Sequence, residues 1–263
     1  MLLLGFSDDV LDVRWRYKIA LSALATLPLL VAYDGPTDIL IPRIPYVTSD
    51  VTVVHLGILY HVIIACISIF CTNSINIHAG VNGIEAGQSI VIAIFIIIYN
   101  TIELHYGTGS IFSHQLSLYM ILPFVGTSLG LLYYNWCPSE VFVGDSFTYI
   151  AGMTISVAAV LGHFTKTVLL FFIPQLINFT LSLPQLFGII PCPRHRLPKY
   201  NKKTGLLDPV WPNHYTLINL VLKITGPMKE RNVTVTLLVF QAACCVLGLV
   251  IRYSQLSNLF IGE

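Results

Sequence analysis

The sequence predicts an all-α fold, a polytopic bundle of about seven transmembrane helices preceded by the tail of a further helix. Three observations carry that expectation. The 263 residues are 55% hydrophobic and only 10% charged, with a mean hydropathy of +0.77, whereas soluble domains carry about 25% charged residues. The apolar residues gather in seven runs, 19–33, 53–71, 89–102, 116–134, 147–163, 168–190 and 233–253, and a helix needs about 20 residues to cross hydrocarbon. The charges collect in a few connections between the runs. Inside a bilayer no water is available to backbone N–H and C=O groups, so runs of this length cross as helices.

Composition also excludes classes. A net charge of +1 provides no broad basic field, so nucleic acid is not the partner and an anionic ligand must be held by local charges. Cys66, Cys71, Cys137, Cys192, Cys244 and Cys245 show no metal spacing and read as small apolar fillers rather than a disulfide framework or zinc site. Residues 1–6 lack a basic n-region and run straight into Asp8, so they read as the tail of a longer helix or a stub, not a cleavable signal peptide.

In chain order, the stretch 7–18 places Asp8, Asp9 and Asp12 beside Arg14, Arg16 and Lys18, at the rim where one membrane helix ends and the next begins. Such charges suit chemistry or, equally, cytosolic anchoring. Runs 19–33 and 89–102 are short and must recruit flanking residues. Run 168–190 is interrupted by Pro174, Gln175, Asn178, Pro184 and Gln185, which predicts a bend and a polar face turned into the bundle. Counted alternately, connections 7–18, 72–88, 135–146 and 191–232 share one face and hold eleven of the fourteen lysines and arginines. That face is cytosolic by the positive-inside rule. Arg43, Lys166, Arg252 and the C-terminal Glu263 fall on the other.

The same four connections hold the residues equipped for chemistry. Connection 72–88 offers Asn73, Asn76 and Asn82 among Gly80, Gly83 and Gly87. These suit amide ligation of a metal or hydrogen bonds to a base, or alternatively a polar turn with Asn73 and Asn76 as helix caps. His78 reads as a packed or surface histidine rather than a ligand. Phe142-Val143-Gly144-Asp145-Ser146 sets an acid at the start of run 147–163, as an N-cap or a hard-metal ligand. The long loop 191–232 opens Pro191-Cys192-Pro193-Arg194-His195-Arg196-Leu197-Pro198; prolines stiffen a cationic triplet suited to phosphate, with basic membrane anchoring as the plainer alternative. Residues 215–224 are expected as a short interfacial helix anchored by Trp211. The sequons at Asn178 and Asn232 fall in a span and on the cytosolic side, and are expected to carry no glycan.

Acids, amides, a further acid and arginines on one face are parts for binding a magnesium-chelated pyrophosphate beside a lipid surface. Asp8-Asp9 with Arg14-Trp15-Arg16 and Lys18, the run 73–88, Phe142 to Asp145 and the Pro191 to Arg196 loop together resemble the polyprenyl-phosphate sugar-1-phosphate transferase superfamily over the whole chain. The Arg-His-Arg loop resembles its eukaryotic branch more than the bacterial one. The resemblance implies an enzyme that transfers N-acetylglucosamine-1-phosphate from UDP-N-acetylglucosamine to dolichyl phosphate, releasing UMP, in the first step of N-glycan precursor assembly. It implies a homodimer in the endoplasmic reticulum membrane with a cytosol-facing site.

By the same resemblance Asn76 and Asp145 hold Mg2+, and Asp8 and Asp9 are catalytic at the attacking phosphate. Lys18 holds the lipid phosphate, Asn82 and Phe142 meet the uracil end, and Arg194, His195 and Arg196 grip the pyrophosphate and sugar. Asn73 and Gly80 complete the substrate-binding set. Adjacent aspartates on a helix point about 100° apart, so one should work while the other orients. The family pattern has ten membrane helices, of which residues 1–263, read as a single transmembrane catalytic domain, correspond to the end of the third and the seven later spans. A chain with only those spans is expected to transfer little on its own, so a truncated, inactive form is the alternative. A multi-span transporter is a weaker rival, because it would place charged or unwound segments at the membrane midplane rather than at one rim.

Overall fold

The computed structural model describes residues 1–41, 52–107, 110–191, 193 and 196–254. Ten helices account for most of the fold: α1 (Leu2–Leu11), α2 (Trp15–Ala32), α3 (Ile58–Ile77), α4 (Ile84–Tyr106), α5 (Ile111–Asn135), α6 (Asp145–Leu161), α7 (Thr165–Phe171), α8 (Ile173–Leu186), α9 (Leu217–Thr225) and α10 (Glu230–Tyr253) among the described residues. Each of the seven apolar runs falls mainly on α2, α3, α4, α5, α6, the α7–α8 pair or α10. Helices α3, α4, α5 and α10 are each long and apolar enough to cross a membrane, and α7 with α8, bent by 69° at their junction, makes a fifth candidate. Helix α6 has 17 residues, and α2 has 18 but begins with Arg16 and Lys18 in its first turn, so both stand at the short end of a span.

Several boundaries differ from the sequence expectation. The run 53–71 begins inside a strand: β1 (Asp38–Ile41) and β2 (Thr52–His55) form an antiparallel hairpin that precedes α3, and Arg43 lies outside the described residues. Connection 72–88 is shorter than expected, because α3 runs on to Ile77 and α4 starts at Ile84. Asn73 and Asn76 therefore sit on a helix, where their amides bond within the bundle instead of capping. Asp145 is not the N-cap of α6; Gly144 is, and Asp145 is the first helical residue. The loop 191–232 contains a second hairpin, β3 (Lys199–Asn201) with β4 (Leu206–Asp208). The short helix expected at 215–224 is α9, and Trp211 packs on Tyr215 with ring centres 4.7 Å apart while Lys223 sits 4.7 Å over the indole.

Two glycines set the spacing of the elements that matter most. A Cβ on Gly152 of α6 would fall 2.4 Å from the Cα of Thr72 on α3, and one on Gly5 of α1 would fall 2.3 Å from the Cα of Ser146. Backbone thus meets backbone along the α1–α6–α3 contact, as close helix packing in membranes requires. Below that contact a core of Ile75, Ile92, Ile96, Tyr99, Ile155, Phe164 and Phe171 joins α3, α4, α6 and α7.

Candidate active site

The close approach of α1 to the start of α6 places Asp8 and Asp9 one turn beyond Gly5. Asp9 turns its carboxylate to α6, where Oδ1 accepts a hydrogen bond from the Asp145 N–H at 3.0 Å. It thereby caps, from another helix, an amide that α6 leaves without a partner. Asp8 is buried, and its side chain also hydrogen-bonds that of Asp145. Asp8 Oδ2 lies 2.7 Å from Lys18 Nζ and accepts from the Tyr149 hydroxyl at 3.4 Å. The side-chain amide of Asn76, near the end of α3, donates to Asp145 Oδ1 at 2.7 Å and to Thr148 Oγ1 at 3.1 Å. Asp8, Asp9, Lys18, Asn76 and Asp145 therefore meet in one place although they come from α1, α2, α3 and α6.

Asp145 stands at the rim, ahead of the apolar stretch of α6. Burial first, then the neighbouring Asp8 and Asp9, push its carboxyl from the usual range up to about 7, with Lys18 opposing. Three carboxylates against one ammonium make a site that gains from a cation. Among the described residues no three His, Cys, Asp or Glu side chains are grouped to hold a metal by themselves, so a cation here would rest on one carboxylate, one amide and oxygens brought by a substrate.

Other expected site residues are distributed around this centre. Asn73 is not brought to it: one turn deeper on α3, its amide donates to Ile69 O at 2.8 Å and reaches Ser22 of α2 at 3.5 Å. Gly80 has φ of 124°, a backbone that favours glycine, and a Cβ there would fall 2.4 Å from Leu197 Cδ2. The segment 196–197 therefore lies against the α3–α4 connection, and the Arg196 carbonyl accepts from Asn219 Nδ2 at 3.2 Å. Arg194 and His195 lie outside the described residues. Phe142 is 86% exposed, open to a ligand approaching the rim. His78 is buried, which selects the packed over the surface reading. Burial lowers its pKa to about 4 against a hydrogen bond with the Asn178 side chain.

Four residues at this rim escaped the sequence reading. Glu85 accepts from the Gly80 N–H at 3.1 Å, Glu230 from the Asn82 N–H at 2.9 Å, Asn135 from the Gly83 N–H at 2.9 Å, and Tyr149 holds Asp8. Glu85 and Glu230 are visible in the sequence as acids flanking apolar runs. Their partners are main-chain groups, which leave no trace in residue type.

Fold and site together define a multi-pass membrane protein with a carboxylate, amide and lysine cluster at one rim. The chain belongs to glycosyl transferase family 4, whose family model matches residues 1–163, the part that carries α1 to α6 and all five residues of the cluster. Over nearly its whole length it is similar to proteins named UDP-N-acetylglucosamine--dolichyl-phosphate N-acetylglucosaminephosphotransferase. It is 52% identical to the one from Dictyostelium discoideum, covering 98% of this chain and 67% of that protein. With the one from Schizosaccharomyces pombe it shares 43%, over 95% and 66%, and with the one from Saccharomyces cerevisiae 42%, over 96% and 65%. The chain thus spans about two thirds of the length of these relatives.

Proposed function

We propose that this chain carries the catalytic face of a transferase that moves N-acetylglucosamine-1-phosphate from UDP-N-acetylglucosamine to dolichyl phosphate. The observation that carries the proposal is the convergence of Asp8, Asp9, Lys18, Asn76 and Asp145 from four helices onto one rim. The relatives' names, at 42–52% identity, supply the substrates. In the reaction an oxygen of dolichyl phosphate attacks the sugar-bearing phosphorus, the bond to the UMP oxygen breaks, and dolichyl-pyrophosphate N-acetylglucosamine forms.

The two aspartates divide the work. Asp8 is locked by Lys18 and Tyr149 and is the orienting member. Asp9 is exposed and held through only one main-chain N–H, so it positions or deprotonates the attacking phosphate. With a second pKa near about 6 that phosphate is largely ionised already, and no strong base is needed. Lys18, shared between Asp8 and the rim, holds the lipid phosphate.

Asn76 and Asp145 fit a magnesium ion. Their nitrogen and oxygen lie 2.7 Å apart, close to the roughly 3 Å between neighbouring ligands of an octahedral ion with bonds of about 2.1 Å, once the amide presents its oxygen. The ion would neutralise charge on the pyrophosphate of the donor. Asn82 and Phe142 meet the uracil end, Gly80 permits close approach, and Arg194, His195 and Arg196 grip pyrophosphate and sugar. The same reading includes a homodimer in the endoplasmic reticulum membrane; the one-sided lysines and arginines support turning this rim toward the cytosol.

The test is transfer of labelled sugar phosphate to dolichyl phosphate across a magnesium titration. Asp145→Ala in the full-length protein should lower transfer at least about 100-fold at every magnesium concentration, the scale of losing a metal ligand. Activity retained above a few per cent, with unchanged magnesium dependence, would sink the assignment.

A further inference from the structure

The α3–α4 connection, residues 78–83, is too short and too strained for a helix to continue through it: Gly80 and Gly83 have φ of 124° and 83°. Its N–H groups must therefore find partners outside a helical ladder. Three of them do so on side chains of three different helices, Gly80 on Glu85 of α4, Asn82 on Glu230 of α10 and Gly83 on Asn135 of α5. Asn82 is held twice. Its N–H donates to Glu230 Oε1 at 2.9 Å, and its carbonyl accepts from Thr234 Oγ1, also at 2.9 Å.

Glu230 and Thr234 stand four residues apart, on one face of the first turns of α10. Glu230 is well placed there, since a carboxylate in the first turn of a helix is favoured by the helix dipole, and its bond to Asn82 is charge-assisted. With both peptide groups flanking its Cα pinned, Asn82 keeps only side-chain torsions. The grip comes from 148 and 152 residues further along the chain, beyond the 1–163 segment that the family model matches.

We propose that Glu230 and Thr234 are positioning residues for nucleotide recognition, holding the main chain of Asn82 so that its side-chain amide meets the uracil end of the donor. This rests on the reading that Asn82 faces the nucleotide. Recognition geometry tolerates errors of about 0.5 Å, and a connection freed on one side moves by more. Neither residue touches the Asp145 cluster, so loosening the grip weakens donor binding and spares the chemical step.

The experiment uses the full-length protein in detergent with added dolichyl phosphate, and follows KM for UDP-N-acetylglucosamine, kcat, and inhibition by UDP. Glu230→Ala should raise KM about 10-fold, the scale of one charge-assisted hydrogen bond, and weaken UDP inhibition in parallel, while kcat and KM for dolichyl phosphate stay within about 2-fold. Thr234→Val should act in the same direction and more weakly. Glu230→Gln, which still offers an oxygen to the Asn82 N–H, should restore KM. Because the grip acts through Asn82, Glu230→Ala should add little to Asn82→Ala.

An unchanged KM in folded Glu230→Ala, a matching fall in kcat, or a full additive effect on top of Asn82→Ala would overturn the proposal while leaving the nucleotide reading intact. Asn82→Ala with an unchanged KM would overturn both, at the level of that reading. Should Glu230→Ala fail to fold, Thr234→Val and Glu230→Gln decide: no KM rise in the first, or a rise in the second as large as that of Asn82→Ala, counts against the grip.

Discussion

Asp8 is a carboxylate whose side chain is 2% exposed, and Lys18, 17% exposed, is 2.7 Å away. Removing one partner of such a pair leaves a charge buried without compensation, at a cost of about 3 to 5 kcal/mol. Lys18→Met should therefore both abolish transfer and destabilise the protein by about 3 kcal/mol, read as a fall in melting temperature in detergent. A variant as stable as the parent would show that Tyr149 and Asp145, which also contact the Asp8 carboxylate, compensate its charge without Lys18. His78 gives a pH signature of the opposite kind. Its folded pKa of about 4 lies below the ordinary 6.5, so the fold binds this proton less readily than the unfolded chain does. Its stabilising effect is complete above pH 6.5 and lost as pH falls from 6.5 to 4, by up to about 3 kcal/mol. Melting temperature should consequently drop less over that range in His78→Gln than in the parent; parallel curves would remove His78 as the cause. Polar residues in an apolar chain drew attention to the five residues of the cluster, but their assignment to one site came from the family resemblance, since cap, turn and anchoring readings fitted the residues as well. Asn73 looked the same on that ground, yet it bonds to its own helix and to Ser22, and sequence does not record which of two amides three residues apart faces the rim.

At the scale of elements, the α7–α8 junction shows what a bend demands. The bend frees the Phe171 carbonyl, and Gln241 of α10 answers it with a hydrogen bond of 2.7 Å. Gln175, in the first turn of α8, donates to both Gln241 Oε1 at 2.7 Å and Gln88 Oε1 at 2.8 Å. Gln88 in turn donates to the carbonyls of Ile75 and His78, where α3 ends. Three buried glutamines thus tie the break in one span to the base of the site. Pro174 and the polar residues after it made the bend legible, but Gln88 and Gln241 had no role assigned. The polar face of α8 also serves differently from expectation: Gln185 bonds to the main chain of Pro191, Asn213 and Tyr215, holding the 191–232 loop as well as facing the bundle. Gln241→Leu should leave the Phe171 carbonyl with the long Cys245 thiol contact at 3.9 Å in place of its 2.7 Å bond, and a Gln175 donor unmet, at about 1 to 3 kcal/mol for a group left unmet. An SDS unfolding titration would show it as an earlier midpoint, and an unmoved midpoint would mean that the bend needs no such support.

For the whole molecule, alternation of spans predicted that connections 7–18, 72–88, 135–146 and 191–232 share a face, and the contacts agree. Asp9 meets Asp145, Asn76 meets Asp145, Gly83 meets Asn135 and Asn82 meets Glu230. At the opposite end Tyr33 packs against His61 and His163, and Glu103 accepts from Tyr253. What parity could not supply was the length of each connection, because a helix extends wherever its polar side chains find partners, as α3 does past Asn73 and Asn76. The two ends should therefore be chemically addressable from opposite sides of a sealed membrane. Single cysteines at the exposed Phe142 and Lys202, in a full-length protein freed of its own cysteines, should react with an impermeant thiol reagent from the cytosolic side of microsomes. A cysteine at the exposed Tyr106 or at Lys166 should react only after the vesicles are opened. Since the α3–α4 connection is bonded through Asn82 to Glu230 of α10 and through Gly83 to Asn135 of α5, labelling of Phe142 and Lys202 from opposite sides would be incompatible with those contacts, and the shared site at the rim would fall with them.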